Sequence, residues 1–395
     1  MSASAFISYS KSRPVLAQVA HVLRRHGAPP WRDADSLPIG GRTREEIEAE
    51  LERCHGALLW LSEDTLRSAY VLKVELPAIQ RQVERRGLRV VPVFVGMEPR
   101  QGAEKVRELT GIEIADNNGH VLDQSAPIES EAILIATAYV DTALRDAAEG
   151  PLRAPVVRCV TRDDTAQRRE EADTNFDWRD EYGNAALLPD PEVLRQLQVA
   201  LAQTTSSVNA RFQAGVVELE LKCHLHIALA LGHAFRKPTG MLPWTRVGDQ
   251  WWPVQDVPTF VEGGLIEGRS VGPPDVDRAA VLISLTRDVE PGVNQTVATT
   301  GRRYEQRISL RPLSGPGQHT VPDPTTANAW AQQVADAMQR LRDQQPIAAI
   351  DLFMAAPVQF AVMLGWRLNA AGPINVYHWR GNQGPYDLAW TLPPT

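Results

Sequence analysis

The chain has 395 residues, enough for two domains, and its 43% hydrophobic and 23% charged content is that of a soluble globular protein. Its net charge of −7 excludes a surface built to coat duplex nucleic acid, but leaves room for a local basic pocket that takes a small anion. Three widely spaced cysteines, Cys54, Cys159 and Cys223, form neither a disulfide framework nor a metal-ligand pattern; with no signal-peptide core in MSASAFISYSKSR and no apolar run of about 18 residues, the expectation is a cytoplasmic protein without membrane or metal.

Ala5–Ser8 predicts a first strand, followed by the polar turn Ser8-Tyr9-Ser10-Lys11. Leu16, Val19, Ala20 and Leu23 mark a helical face that Gly27 closes. Pro30–Arg32 reads as a short second strand, and Asp33–Arg42 (DADSLPIGGR) as a loop, with Gly40 and Gly41 giving it freedom to move. Thr43 with Glu46 forms a capping box for a helix running to about Cys54. Ala57–Leu61 and Val90–Val95 are the third and fourth strands, and Ile133, Ala136, Val140 and Leu144 mark a last helix. The alternation of strand and helix predicts a parallel α/β sheet whose ligands bind at the carboxyl ends of the strands.

Between the third and fourth strands lies Ser62–Arg86, with Leu72, Leu76, Ile79 and Val83 at helical spacing. At about 100° per residue, Glu75 falls roughly 70° and Glu84 roughly 110° from the centre of that stripe. Such a carboxylate is either a solvated rim residue or a group set in a cleft. Pro77 places the start of the regular helix near Val74, so that Glu75 would stand at a helix N-terminus and the dipole would favour its ionised form.

AFISYS at Ala5–Ser10, WRD at Trp31–Asp33 before the Pro-Gly loop, Leu61-Ser62 and the SAYVLKVEL segment together resemble a TIR domain over roughly residues 1–145. The resemblance implies a flavodoxin-like fold. It also implies one of two functions: assembly with other TIR domains, or cleavage of the nicotinamide–ribose bond of NAD by one glutamate in the helix after the third strand. By its place between Tyr70 and Leu76, Glu75 takes that role, with Glu84 as the alternative; the Tyr-Val before it departs from the Trp-Cys of many members. Phe6, Ser8, Tyr9, Lys11, Trp31, Asp33, Gly40 and Arg42 are the expected NAD-binding residues, the loop reaching a neighbouring TIR domain.

Glu149-Gly150-Pro151 through Pro155 breaks the helical pattern, giving a linker at 146–155 and a second domain at 156–395. Val156–Val160, Ala279–Leu285 and Ala348–Met354 predict strands; Trp330, Val334, Met338 and Leu341 predict a helix; Val216–Phe235 is apolar and reads as strand or helix. Residues 162–192 read as loops with short helices. An internal echo appears at an offset of 133: His226-Ile-Ala228-Leu-Ala-Leu231-Gly232 against Gln359-Phe-Ala361-Val-Met-Leu364-Gly365. A duplicated strand–helix–strand unit would make one pocket between its halves.

AAVLISLTRD at Ala279–Asp288, HTVPDP at His319–Pro324 and LFMAAPVQFAVMLGWRLN at Leu352–Asn369 resemble a SAVED domain, a fusion of two CARF-like units. That resemblance implies binding of a cyclic oligonucleotide made by a partner synthase in anti-phage defence, with contacts from loops after the strands: Thr286, Arg287, Ala355, Pro357 and Phe360, and in the first half Lys222 and His226. The combined expectation is a TIR–SAVED effector that senses a cyclic oligonucleotide, a ring of three adenines first, self-associates head to tail through both domains and cleaves NAD, the substrate, without a cofactor. The competing expectation is a TIR scaffold that assembles on the ligand and recruits a partner.

Overall fold

The computed structural model describes all residues except 1–3, 10–13, 32–42, 115–118, 150–152, 163–171, 184–186, 214, 258–260, 262, 274–275, 345, 370–371, 382–383 and 394–395. The chain divides into two compact units, Met1–Leu152 with Ala166–Asp177, and Arg153–Thr165 with Trp178–Thr395.

The first unit is built on a five-stranded sheet. Its strands are β1 (Ala5–Ser8), β2 (Pro30–Trp31), β3 (Gly56–Leu61), β4 (Arg89–Phe94) and β5 (His120–Val121), in the order β2-β1-β3-β4-β5, all parallel. Strands β1 and β3 are buried along their whole length, which is why AFIS and GALLWL read as apolar runs without alternation. Around the sheet lie α1 (Pro14–Arg25), α2 (Thr43–Arg53), α3 (Glu63–Arg67), α4 (Leu76–Arg86), α5 (Pro99–Thr110) and α6 (Ile128–Ala148). The order reverses between β1 and β3, so the crevice for a ligand opens where Ser8 and Leu61 end their strands. The sequence reading had not foreseen α5 or β5, and the Thr43 side chain of its capping box lies outside the described residues.

The segment that carries Glu75 differs from expectation in an instructive way. Val71–Glu75 is a π turn that runs straight into α4, and the Leu76 N–H bonds to the Val71 carbonyl. Glu75 is therefore inside a continuous helix, and the expectation of a free N-terminal dipole beside it is corrected. Pro77 has no N–H for the ladder, and the wider turn just before it absorbs the mismatch. The buried residues are Val71, Glu75, Leu76, Ala78, Ile79 and Gln82, whereas Val83 is 39% exposed. The core face is thus centred on Glu75, Ala78, Ile79 and Gln82, about 75° away from the Leu-and-Val stripe the sequence suggested. The π turn brings Val71 into line with it. Arg86 ends this face, its guanidinium donating to the carbonyls of Leu51 (2.5 Å) and Cys54 (2.6 Å) and tying α4 to the end of α2.

The second unit is a duplication. In its first half β6 (Val156–Val160), β8 (Val216–Lys222) and β9 (Leu242–Val247) run parallel, with β10 (Gln250–Pro253) antiparallel to β9. In its second half β12 (Arg278–Ser284), β14 (Ala349–Ala355) and β15 (Ile374–Trp379) run parallel, with β16 (Tyr386–Leu392) antiparallel to β15. The second half adds β13 (Gln306–Pro312) and β11 (Leu265–Val271) on the far side of β12. The short strand β7 (Thr174–Asp177) belongs to the first unit, and helix α7 (Arg179–Tyr182) precedes the long helix α8 (Pro191–Arg211). Helices α9 (Leu225–Ala234), α10 (Glu290–Thr300), α11 (Pro324–Gln344) and α12 (Val358–Arg367) complete the unit.

The echo extends well beyond the helix where it was noticed. Helices α8 and α11 are both 21 residues, β8 and β14 both 7, and α9 and α12 both 10, each pair at the same offset of 133. The apolar stretch 216–235 resolves into β8 and α9. Helices α9 and α12 pack on each other with their backbones in contact. A Cβ on Gly232 would collide with the Val362 carbonyl, and one on Gly365 with the Leu229 carbonyl. Positions 229 and 232 are the equivalents of 362 and 365, so the two contacts are reciprocal, as a twofold axis between the halves requires. No other residue type allows that approach.

Candidate functional site

Two sites emerge, one in each unit. In the first, Ser8 closes β1 and is fully buried, and Glu75 faces it from the π turn with 1% exposure. The Ser8 hydroxyl donates to Glu75 Oε2 at 2.5 Å. A hydrogen bond to a charged acceptor is short and strong, and fixes the carboxylate's position. Ser68 holds the approach to the turn by accepting from the Val71 N–H at 3.3 Å. The structure thus brings Glu75 and Ser8 together at the sheet's switch point. Tyr9, next along, is 8% exposed.

Phe6 is corrected. It is 0% exposed in the core and stacks on Trp31, with centroids 5.0 Å apart and planes 15° apart, so it supports Trp31 rather than touching a nucleotide. Trp31 itself is half-buried. Lys11, Asp33, Gly40 and Arg42 lie outside the described residues. Glu84 is exposed on the outer face of α4, where its carboxylate accepts from Gln80 at 2.9 Å; it has no place beside Ser8.

The second site is a cavity of about 760 Å³ at the carboxyl ends of β6, β12, β14 and β15. Arg162, Leu225 and His226 line it from the first half of the unit; Thr286, Arg287, Ala355, Ala356, His378 and Trp379 do so from the second, with Gln318, Met354 and Tyr377. Of the expected contacts, His226, Thr286, Arg287 and Ala355 are brought together there. Lys222 is exposed at the end of β8 and is not in the lining. Pro357 caps α12 and also lies outside it. Phe360 is 0% exposed in the core, as Trp366 nearly is, so neither can stack on a base. Tyr377, His378, Trp379 and Arg162 are lining residues that the sequence pattern does not single out: the first three sit on β15, whose apolar and aromatic residues read as core. Arg162 stood at the start of a stretch set aside as loops.

Among the described residues the charge of this cavity comes from Arg162 and Arg287, with no carboxylate in the described lining. The Arg287 guanidinium lies 3.2 Å over the Trp379 ring, and burial lowers its pKa. His226 is 1% exposed. Burial first, then His378, His224 and Arg162, hold its pKa well below the ordinary histidine value, so it is a neutral imidazole. Its Nε2 is 2.8 Å from the Tyr182 hydroxyl, while Nδ1 has no partner among the described residues. If Tyr182 donates to Nε2, Nδ1 carries the proton and is a donor; if Nε2 donates to Tyr182, Nδ1 is an acceptor. Behind it Tyr182 stacks on His224 (4.6 Å), whose Nδ1 meets Thr161 Oγ1 at 2.7 Å.

From below, the cavity is braced by Asp351 on β14, which is fully buried. It accepts from Arg302 (2.8 Å), Asn375 (2.7 Å), Tyr304 (3.0 Å), Tyr377 (3.1 Å) and Arg278 (3.3 Å). A buried carboxylate persists only with such a shell of donors. Here the shell also fixes the Tyr377 ring that lines the cavity. No group of histidine, cysteine and carboxylate side chains that could hold a metal occurs among the described residues, and no described helix is long and apolar enough to cross a membrane.

Comparison with known proteins matches two separate stretches of the chain. The family model for the TIR domain matches residues 5–126. That for the SAVED domain, the SMODS-associated and fused to various effectors sensor domain, matches residues 200–392. CD-NTase-associated protein 4 of Enterobacter hormaechei subsp. hoffmannii (strain UCI 50) is 30% identical over 181 residues, covering 43% of this chain and 35% of the relative, so the chain spans about a third of that relative's length. Among solved structures, the Acinetobacter baumannii Cap4 SAVED/CARF-domain containing receptor with the cyclic trinucleotide 3′3′3′-cAAA has a TM-score of 0.52 at 15% identity, over 88% of this chain and 85% of that one. The same receptor with 2′3′3′-cAAA has a TM-score of 0.51, also at 15% identity and with the same coverage. At that identity the likeness speaks for the fold.

Proposed function

Because this chain joins a TIR domain to a SAVED sensor domain, the make-up of a CBASS TIR–SAVED protein, we propose that it is a cytoplasmic anti-phage effector that cleaves NAD when a cyclic oligonucleotide binds. The observation that carries the catalytic half is the Ser8–Glu75 pair at the switch point of the first sheet. Breaking the C1′–N bond sends its electron pair onto the pyridinium nitrogen, so nicotinamide leaves neutral and positive charge grows on the ribose. A fixed carboxylate stabilises that charge or holds the ribose hydroxyls. Water then adds at C1′ and loses a proton, giving ADP-ribose; attack by a group of the same molecule would give the cyclic form instead.

The sensing half is supported by two arginines with no carboxylate in the described lining, and by a cavity volume within the range that takes small ligands. The two guanidiniums would meet two of the three phosphates of a cyclic trinucleotide, and the related receptor was solved with cAAA rings, which makes three adenines the first ligand to try. His226 Nδ1 would read a base edge or a sugar hydroxyl. Glu75 is 1% exposed in the single chain, so NAD reaches it only after a rearrangement. Head-to-tail assembly on the ligand would supply that, and would place the Asp33–Arg42 loop of one copy over the Glu75 cleft of the next.

The test is fluorescence of etheno-NAD with a panel of cyclic di- and trinucleotides, alongside light scattering. Cleavage that appears only with a ligand that also drives particle growth supports the reading. Growth without cleavage for every ligand overturns it in favour of a scaffold that recruits a partner, the alternative that the burial of Glu75 favours.

A further inference from the structure

The two halves of the second unit differ at one place where their duplication would have them match. In the second half the groove between α11 and α12 is filled. Met338, Met363 and Trp366 are buried, and the Trp366 Nε1–H donates to the Met241 carbonyl at 3.0 Å. The Arg367 guanidinium fills the rest, donating to the carbonyls of Met363 and Gln255 at 2.8 Å each and to Asn328 at 3.0 Å. The residues 133 positions earlier are Thr205, Ala230, His233 and Ala234, all of them smaller. Helix α11 packs along α12, whereas α8 touches α9 only lightly. A cavity of about 410 Å³ remains there, closed on its third side by Trp390, Leu392 and Pro393 from the end of β16. It is a cleft that opens to solvent, with Ser206 exposed at its rim.

The cavity also holds polar atoms that have no partner among the described residues. Trp390 is 2% exposed, and its Nε1–H has no partner among the described residues. Asn209 spends its Nδ2 on the Ala234 carbonyl at 3.0 Å and leaves Oδ1 buried and unpartnered. Burial, and to a lesser degree Arg236, lower the His233 pKa to about 4, so its ring is a neutral donor-acceptor. Arg236 is the sole charged side chain in the described lining, and no carboxylate accompanies it. Buried polar groups are ordinarily paired, and a pair left open in a wall is a place for a ligand.

We propose that this cavity is a second ligand site, distinct from the large one, and that it takes an uncharged nucleoside or its free base. The occupant would offer an acceptor to the Trp390 indole and a donor to Asn209 Oδ1, and the base and sugar of a nucleoside carry both kinds of group. Its size fits one base with its sugar. A cyclic oligonucleotide is excluded by charge as well as bulk, since a single guanidinium cannot neutralise several phosphates. Trp390 also packs edge-on against His226, centroids 5.4 Å apart, and His226 lines the large cavity. The two sites therefore share a wall, although the proposal does not depend on NAD cleavage.

The experiment uses the full chain with adenosine, guanosine, cytidine, uridine and nicotinamide, each read by saturation-transfer NMR and by calorimetry. At least one should bind saturably. Ala230→Met and His233→Trp, which copy the filled half of the molecule, should each weaken that binding at least tenfold, while cyclic-oligonucleotide affinity and the melting temperature stay within error of the parent. A co-crystal of the parent chain with the best ligand supplies the second reading if either variant melts low; density beside Trp390 and Asn209 supports the site. Binding of none of the five overturns the proposal. So does binding that survives in a well-folded filled variant, density elsewhere, or competition by the cyclic oligonucleotide that is lost with Arg287→Ala.

Discussion

Ser8→Ala tests the catalytic reading more sharply than removal of the glutamate alone. Ser8 is 0% and Glu75 1% exposed, and the hydroxyl donates to the carboxylate at 2.5 Å. Deleting one donor to a buried charged acceptor costs about 1.5–3 kcal/mol. If that energy serves to position the carboxylate, each 1.4 kcal/mol is a factor of ten, so ligand-stimulated NAD cleavage should fall by roughly 10- to 100-fold in kcat with KM little changed. Glu75→Gln should reduce cleavage by about 10²–10³ or more, the scale of losing a group aimed at developing charge. Because Ser8 acts through Glu75, the two changes should not add: in the Glu75→Gln background Ser8→Ala should cost little further activity. The assay is etheno-NAD fluorescence with the activating ligand, with thermal melting to confirm the fold. Full activity in Glu75→Gln, or full additivity of the pair, would refute the reasoning.

Arg162→Ala and Arg287→Ala should each weaken cyclic-oligonucleotide binding by at least tenfold in calorimetry and flatten its salt dependence, whereas Lys222→Ala, outside the cavity, should do neither. Asp351→Asn leaves Arg278 and Arg302 without their buried counter-charge and should destabilise the second unit by about 3–5 kcal/mol in a denaturant titration. His233 binds its proton near pH 4 in the fold and near pH 6.5 when unfolded. The unfolded chain therefore takes up the proton first, stability from this group is full above about pH 6.5, and it falls by roughly 3 kcal/mol as pH drops to 4. His233→Gln should remove that part of the acid slope in melting curves recorded across this window.

The sequence by itself determined the first sheet, because β1 and β3 are central strands buried on both faces and must be apolar throughout. Its Gly and Pro gave an expected boundary at 146–155, whereas Ala166–Asp177 falls with the first unit; and it marked the duplication, because reciprocal backbone contacts tolerate glycine alone at 232 and 365. It also pointed to Glu75, but for a face of the helix that is not the real one. A regular 3.6-residue period read from Leu72 and Val83 cannot show that Glu75 and Gln82 are core positions, since burial of a carboxylate depends on a donor 67 residues away in sequence. Only the tertiary structure decided that Ser8 meets Glu75, that Phe6 and Phe360 are core, and that Arg162 and the end of β15 line one cavity. Those are facts about which strand ends converge, and convergence is set by sheet order and by packing between helices α9 and α12. Local pattern carries the period and the caps of an element; it carries no record of which distant side chain completes a buried charge.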